Sequence, residues 1–360
     1  MTISSITCNA RQGRFCCHQG FKKVSSCLSR FTPKKTSLRI GSMELKETEL
    51  HRINFKDDRF RISYFVELDK LKRSIAECGL LSPLLTTPRD GDLVIAAGWR
   101  RALACRDLSF SPVPCFILEE PEDGKVFLLA VLENLAAKDF NVLEKAVVLK
   151  KLKAFGMEEA LILETYLPLF GIPQNLSYLD DYLAISEFDA ETKAFIHTRN
   201  VSYPVIRFLL ELTREERAML IPHLRYLGQN KQREFLEFLL ETSQREDLSV
   251  REILASDAIA DVIQSEALPS AQKADSIRLL LRKRRYPSYS AREEAFALAL
   301  KNMEWPEDIV LHHSPFFEGE EFSVRFAFKK DAEFKDKVQQ LHTIAATNRI
   351  TELLKTISHD

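Results

Sequence analysis

No uninterrupted apolar run in this 360-residue chain approaches 18 residues, so the sequence offers nothing that would span a bilayer as a helix. Net charge is almost absent too: 51 Lys and Arg against 52 Asp and Glu leave −1. Contact with a polyanion must therefore come from a local patch and not from the average field. Metal-ligand spacing is missing from the cysteines. Cys8, Cys16, Cys17 and Cys27 match no zinc pattern, while Cys78, Cys105 and Cys115 stand singly in apolar contexts, as reduced buried thiols do. We expect neither a cysteine metal centre nor a disulfide. Acidic residues are lacking before Glu44, where eight Lys or Arg accumulate among serines. That composition fits an organellar transit peptide or a disordered basic extension ahead of a start at Met43. With no clear amphipathic stripe to support the first, residues 1–42 are read as the second.

What is present can fold. A hydrophobic content of 45% beside 29% charge allows two or three soluble domains with real cores. From Met43 the organisation is legible. Leu68, Leu71 and Ile75, with Lys70, Lys72 and Arg73 between them, predict an amphipathic helix ended by Gly79. LLSPLLTTP reads as a short buried strand, Asp90-Gly91 as a turn, Leu93 to Ala97 as a second strand and Trp99 to Arg106 as a helix. Val113 to Leu118 gives a third strand, and VFLLAVLENLAA a closing helix.

Within this unit LVIAAGWRRALAC places a glycine and two arginines where a strand becomes a helix. The first amides of a helix lack partners and its dipole is positive there, so such a junction accepts anions. Gly98 lets the backbone approach, and Arg100 and Arg101 add guanidinium forks suited to phosphate oxygens. A solvated helix start would carry the same residues, so the context has to decide.

The stretches LDKLKRSIAECGLLSPLLTTP, LVIAAGWRRALAC, VPCFI and LENLAAKDFNVLEKA resemble, in this order, the amino-terminal domain of ParB-type chromosome partition proteins. That family shows a Leu-x-x-Leu-x-x-Ser-Ile helix, a Gly-Leu-x-Gln-Pro strand entry, a Gly-Glu-Arg-Arg box and a Glu-Asn-x-Gln-Arg box. The resemblance implies a nucleoside triphosphate, CTP in the best-understood members, with Mg2+, closing two subunits of a homodimer into a clamp around DNA. It implies base contact at Gly79, Ser82 and Pro83 and phosphate contact at Gly98, Trp99, Arg100 and Arg101. Glu133 and Asn134 fall in the box that serves metal and hydrolysis, with Glu133 in the catalytic role. Arg59 or Arg61 matches the family's first arginine. Ser82 stands for Gln, Trp99 for Glu, and Ala136-Ala137 for Gln-Arg. Losing that arginine removes a charge from the pocket, so hydrolysis is expected to be slow or absent. A ParA-like ATPase partner and a cytoplasmic, nucleoid-associated location follow from the same resemblance.

The expected fold class is α+β: a ParB-like domain over 43–137, an all-helical domain over 138–256, a basic helical linker over 257–287 and an αββα domain over 288–360 that resembles the family's dimerising end. ILETYLPLFGIPQNLSYLDDYLAI has a helix-turn-helix outline, yet no Lys or Arg occurs from Leu161 to Thr192, and Asp180 and Asp181 would repel a duplex. The densest cationic run is Arg282, Lys283, Arg284 and Arg285 beside Tyr286 and Tyr289, the expected DNA contact. A helix end whose cations answer the dipole is its structural alternative. The alternative function is a nucleotide-dependent small-molecule kinase on the same amino-terminal domain, with Glu133 or another carboxylate as base.

Overall fold

The computed structural model describes residues 42–314, 317, 319, 321–347, 350, 351 and 353. Residues 1–41, where the basic extension is expected, lie outside the described residues. The chain divides into two compact units, one ending at Arg214 and the other beginning at Glu215. No helix among the described residues is long and apolar enough to cross a membrane.

The first unit is built on a five-stranded sheet of order β1-β5-β3-β4-β2. Its strands are β1 (Met43–Thr48), β2 (Ile53–Asn54), β3 (Leu84–Arg89), β4 (Asp92–Ala97) and β5 (Val113–Leu118). The Asp90-Gly91 turn folds β3 back on β4 with Arg89 opposite Asp92, while β5 runs parallel to β3 and antiparallel to β1. Every β4 residue from Leu93 to Ala97 is buried, which is why this strand is a continuous apolar run rather than an alternating one. Helices α1 (Asp69–Cys78), α2 (Trp99–Asp107) and α3 (Asp123–Ala137) complete the domain. Ile75, Leu84, Ile95, Trp99, Leu103 and Val113 meet in one core. The strand expected from Leu80 begins only at Leu84. Pro83 has no N–H to give a ladder, and the chain enters the sheet after it.

Helix α4 (Val142–Ala154) opens the helical part. It is followed by a stretch with a π turn at Ile162–Tyr166 and by α5 (Leu176–Ser186), α6 (Ala190–Arg199) and α7 (Tyr203–Leu210). The outline of a helix, a glycine turn and a helix is present at 159–186. Asp181 on α5 is engaged by the Tyr203 hydroxyl at 2.6 Å and by Arg207 at 3.5 Å.

Between β2 and α1 the chain has no regular structure, and α4 fastens it. Lys151 Nζ donates to the carbonyls of Asp58 and Arg61, both at 2.7 Å. Glu144, only 5% exposed, accepts from the Ser63 hydroxyl, from Lys138 Nζ at 2.6 Å and from the Asn141 amide at 3.1 Å. The last of these belongs to a capping box that also starts α4. One buried carboxylate thus holds three segments together.

The second unit contains α8 (Arg214–Leu224) apart from its first residue, α9 (Gln229–Glu246), α10 (Val250–Leu254), α11 (Asp257–Gln264), α12 (Ser270–Arg285) and α13 (Pro287–Asn302). The antiparallel pair β6 (Ile309–His313) and β7 (Phe322–Phe326) and then α14 (Asp331–Ala345) follow, so the tail reads helix, strand, strand, helix. Phe334 of α14 packs against Phe326 and Phe328, with ring centroids 6.0 and 4.9 Å apart, while Val310 and Val324 stay exposed.

Burial pushes the Lys151 ammonium down to about 8 from 10.5, with the Asp58 carboxylate opposing the shift. Between those values the unfolded chain carries a proton that the folded chain has shed, so stability rises with pH across that window. Urea unfolding of the parent should therefore gain on the order of 2–3 kcal/mol over Lys151→Met between pH 8 and 10.5. Parallel profiles for the two proteins would remove Lys151 as the source.

Candidate anion site at the Gly98 turn

β4 delivers the chain to Gly98, which adopts φ 92° and ψ 22° as the residue preceding α2. A Cβ there would stand 3.0 Å from Arg101 Nη2 and 3.1 Å from Leu84 Cδ2. The position therefore needs glycine twice, for its left-handed backbone and for the close approach of Arg101. No side chain caps α2, so its first amides are left for solvent or a ligand.

The two arginines diverge. Arg101 Nη1 donates to the Pro83 carbonyl at 2.9 Å and the Ser82 carbonyl at 3.2 Å, and Nη2 donates to Glu133 Oε1 at 2.7 Å. Three boxes far apart in sequence are joined by one guanidinium. Arg100 turns the other way, its Nη2 donating to the Glu67 carbonyl at 2.9 Å. It lines a cavity of about 190 Å³ together with Ser63, Lys138 and His197, among others.

Trp99 is 6% exposed, and its indole N–H is buried without a partner. Its side chain belongs to the core, so what it offers an anion is its backbone amide. The Arg61 guanidinium lies 5.1 Å from the Trp99 ring centroid and 4.7 Å from that of Tyr64. Arg59 is instead bound to Asp57 at 2.7 Å and Asp123 at 2.8 Å, carboxylates that raise its pKa further. Of the two candidates, Arg61 is the arginine at the turn.

Other expected site residues are placed differently. Gly79 ends α1 with φ 72°, its N–H donating to the Ile75 carbonyl at 2.9 Å. Asn134 Nδ2 donates to the Ala130 carbonyl of its own helix at 2.8 Å, so that only Glu133 of the Glu-Asn pair reaches Arg101. Among the described residues no group of three or more His, Cys, Asp or Glu could hold a metal ion. One carboxylate is still a usable donor set for Mg2+ carried mainly by nucleotide phosphates. Ser63, Lys138, Glu144, Lys151 and His197 were missed by motif reading. Lys138 alone left a trace, being a cation directly after the Ala136-Ala137 departure.

In the second unit, Arg282 to Arg285 are not a bare cationic patch. Arg282 pairs with Glu293 at 3.0 Å, Lys283 with Glu294 at 2.7 Å, Arg284 with Glu246 at 2.5 Å, and Arg285 with Glu241. Arg285 also lies 4.6 Å from the Tyr286 ring centroid, and Arg282 5.2 Å from that of Tyr289. Arg245 donates to the Arg284 and Arg285 carbonyls at 2.6 and 2.8 Å, closing the end of α12. Tyr286 and Tyr289 thus lie against the cations beside them.

Gly98→Ala should cost about 1–3 kcal/mol through the forced left-handed backbone and should displace the Arg101 fork. Urea denaturation checks the first effect. Loss of the Arg101–Glu133 coupling in a double-mutant cycle on the Gly98→Ala background checks the second.

Comparison with known proteins assigns the amino-terminal domain. The ParB N-terminal domain family matches residues 36–135. The probable chromosome-partitioning protein ParB of Borreliella burgdorferi is 25% identical over 169 residues, 46% of this chain and 62% of that protein. The corresponding Vibrio cholerae protein is 26% identical over 153 residues, 42% of this chain and 50% of that protein. The chain thus spans between half and two thirds of the length of these relatives. Over 89 residues, 24% of this chain and 29% of that protein, identity with the chromosome-partitioning protein ParB of Caulobacter vibrioides reaches 36%. The crystal structure of the C-terminally truncated ParB from Caulobacter crescentus complexed with CTP-gamma-S aligns at 24% identity over 49% of this chain and 98% of that one, with a TM-score of 0.24. The order of motifs, the sheet that carries them and the matched segment agree: residues 36–135 are a ParB N-terminal domain, and over that segment the chain is similar to ParB-type partition proteins.

Proposed function

We propose that this protein is a nucleotide-dependent, DNA-associated factor of chromosome or plasmid partition, or of a role derived from it. CTP with Mg2+ binds across the Gly98 turn, two copies associate, and DNA is the polymer they hold. The observation that carries this reading is the Arg101 fork, which joins Ser82 and Pro83, the Gly98 turn and Glu133 into one site. That the curated relatives are partition proteins supports the biological role. In this reading Glu133 holds Mg2+ through its second oxygen, and hydrolysis is slow because Ala136 and Ala137 bring no charge. A ParA-like ATPase partner and a nucleoid-associated location belong to the same reading. The kinase alternative needs Glu133 or another carboxylate as a free base, and one oxygen of Glu133 is already held by Arg101.

DNA contact is proposed at Arg282, Lys283, Arg284 and Arg285. Their carboxylate partners do not forbid it: the Lys283–Glu294 pair is exposed and worth only about 0–1 kcal/mol, and the other three pairs remain partly open to solvent, where phosphates can compete for the cations. Helix α5 keeps an uncompensated reason to avoid DNA in the exposed Asp180.

Isothermal titration of the four nucleoside triphosphates with Mg2+ tests the nucleotide reading. CTP should bind, and Arg101→Ala should weaken it about ten- to a hundredfold, because the charge-assisted Arg101–Glu133 contact that frames the site, worth roughly 1.5–3 kcal/mol, is lost. Unchanged affinity in that variant would return the arginines to a purely structural role. For DNA, replacing all four residues 282–285 with Gln should weaken binding on every sequence and flatten the salt dependence by about three units. An anisotropy salt titration with the parental slope would place the contact elsewhere.

A further inference from the structure

We infer that Arg100, Lys138 and His197 form the terminal-phosphate end of the site, so that a nucleoside triphosphate lies across the Gly98 turn with its base toward Ser82-Pro83 and its last phosphate in the Arg100 cavity. The inference rests on the nucleotide reading above, whose base and phosphate ends it keeps, and adds Lys138 and His197 to the phosphate end.

The divergence of the adjacent arginines sets the direction. Arg101 is committed to the Ser82 and Pro83 carbonyls and to Glu133, whereas Arg100 leads to the opposite side of the turn. There the cavity draws its polar lining from segments distant in sequence: the unstructured stretch before α1, the first turn of α2, the residue after α3, and α6. Its volume of about 190 Å³ equals roughly six waters at ~30 Å³ each. That is room for a hydrated phosphate group and too little for a whole nucleotide.

Lys138 supplies the cation that Ala136-Ala137 does not. Its Nζ is held by Glu144 at 2.6 Å, and Glu144 is fixed in turn by the Asn141 amide and the Ser63 hydroxyl. An ammonium has three protons, so this anchoring leaves two for a ligand. His197 stacks on Phe65 with centroids 4.7 Å apart and planes 16° from parallel, which fixes the imidazole at the cavity wall. A neutral imidazole donates one N–H to an anion, and a protonated one adds charge. Two carboxylates stand against Arg100 and Lys138: Glu144, which is buried and already paired with Lys138, and Glu67, which lines the cavity with its side chain largely in solvent.

The experiment reads a ratio of affinities. The full chain is titrated calorimetrically with the four Mg2+-nucleoside triphosphates and with the diphosphate of the one that binds best. The parent should prefer the triphosphate. Lys138→Met should lower triphosphate affinity at least tenfold while diphosphate affinity stays within twofold, and Lys138→Arg should restore the parental ratio. His197→Phe, which keeps the ring stack, should lower the same ratio. Arg101→Ala should lower both affinities. An unchanged ratio in Lys138→Met and His197→Phe, or an equal loss for both nucleotides, overturns the inference and leaves the nucleotide reading standing. A parent that binds none of the four triphosphates removes that reading, and this inference with it.

Discussion

The guanidinium of Arg101 is the contact on which the amino-terminal site depends. The Ser82 and Pro83 carbonyls precede β3 and lie outside its ladder. Arg101 satisfies both and reaches Glu133 with its other nitrogen, a use of the planar fork that a lysine could not reproduce. Its close approach is possible only because Gly98 has no Cβ. Turn, strand entry and α3 are therefore fixed before any ligand arrives. Preorganisation of this kind makes electrostatic recognition effective, since little has to move on binding.

A second dependence runs through charged groups beyond the sheet. The segment carrying Arg61 and Ser63 has no ladder of its own and is fastened by Lys151 and Glu144 of α4. Near its start, Asp123 ties Arg59 to Arg89. Buried charges are safe only while paired, so removing one partner strands the other. Sheet and boxes alone do not make the complete site: Lys138, Glu144 and Lys151 all follow the last box. The boundary that the motifs suggest at Ala137 cuts through the network that orders the Arg61 segment.

What the residues disclosed follows from where their signal lies. The β3, β4 and β5 strands and helices α1 to α3 are legible because periodicity and turn residues are local properties. β1 went unread. Its Met43 and Leu45 are 42% and 55% exposed, only Thr48 is buried, and its place is set by pairing with β5 some 70 residues later. At the site, motif order brought out Gly98, Arg101 and Glu133, which the structure joins. It could not show that Arg100 turns away toward Lys138 and His197, nor that Arg61 and not Arg59 faces Trp99. The run from Arg282 to Arg285 was plain as composition. Its neutralising partners Glu241 and Glu246 stand 44 and 38 residues upstream of Arg285 and Arg284, where no local pattern connects them.

Trp99 shows what a departure from a family motif can do physically. A glutamate after Gly98 would place a carboxylate in the first turn of α2, beside the very amides that an anion uses. The indole at this position instead goes inward to pack with Ile75, Leu84 and Leu103, and its ring accepts the Arg61 guanidinium across its face. Its N–H stays unpaired, a local cost of about 1–3 kcal/mol. Against this stand the area of a large buried aromatic and a cation–π contact. The exchange replaces a negative charge with apolar volume, so the turn becomes more positive and more firmly seated at once. In the proposed nucleotide reading, an anion at Gly98 meets the backbone amides, Arg61 and Arg100, while Arg101 keeps the frame.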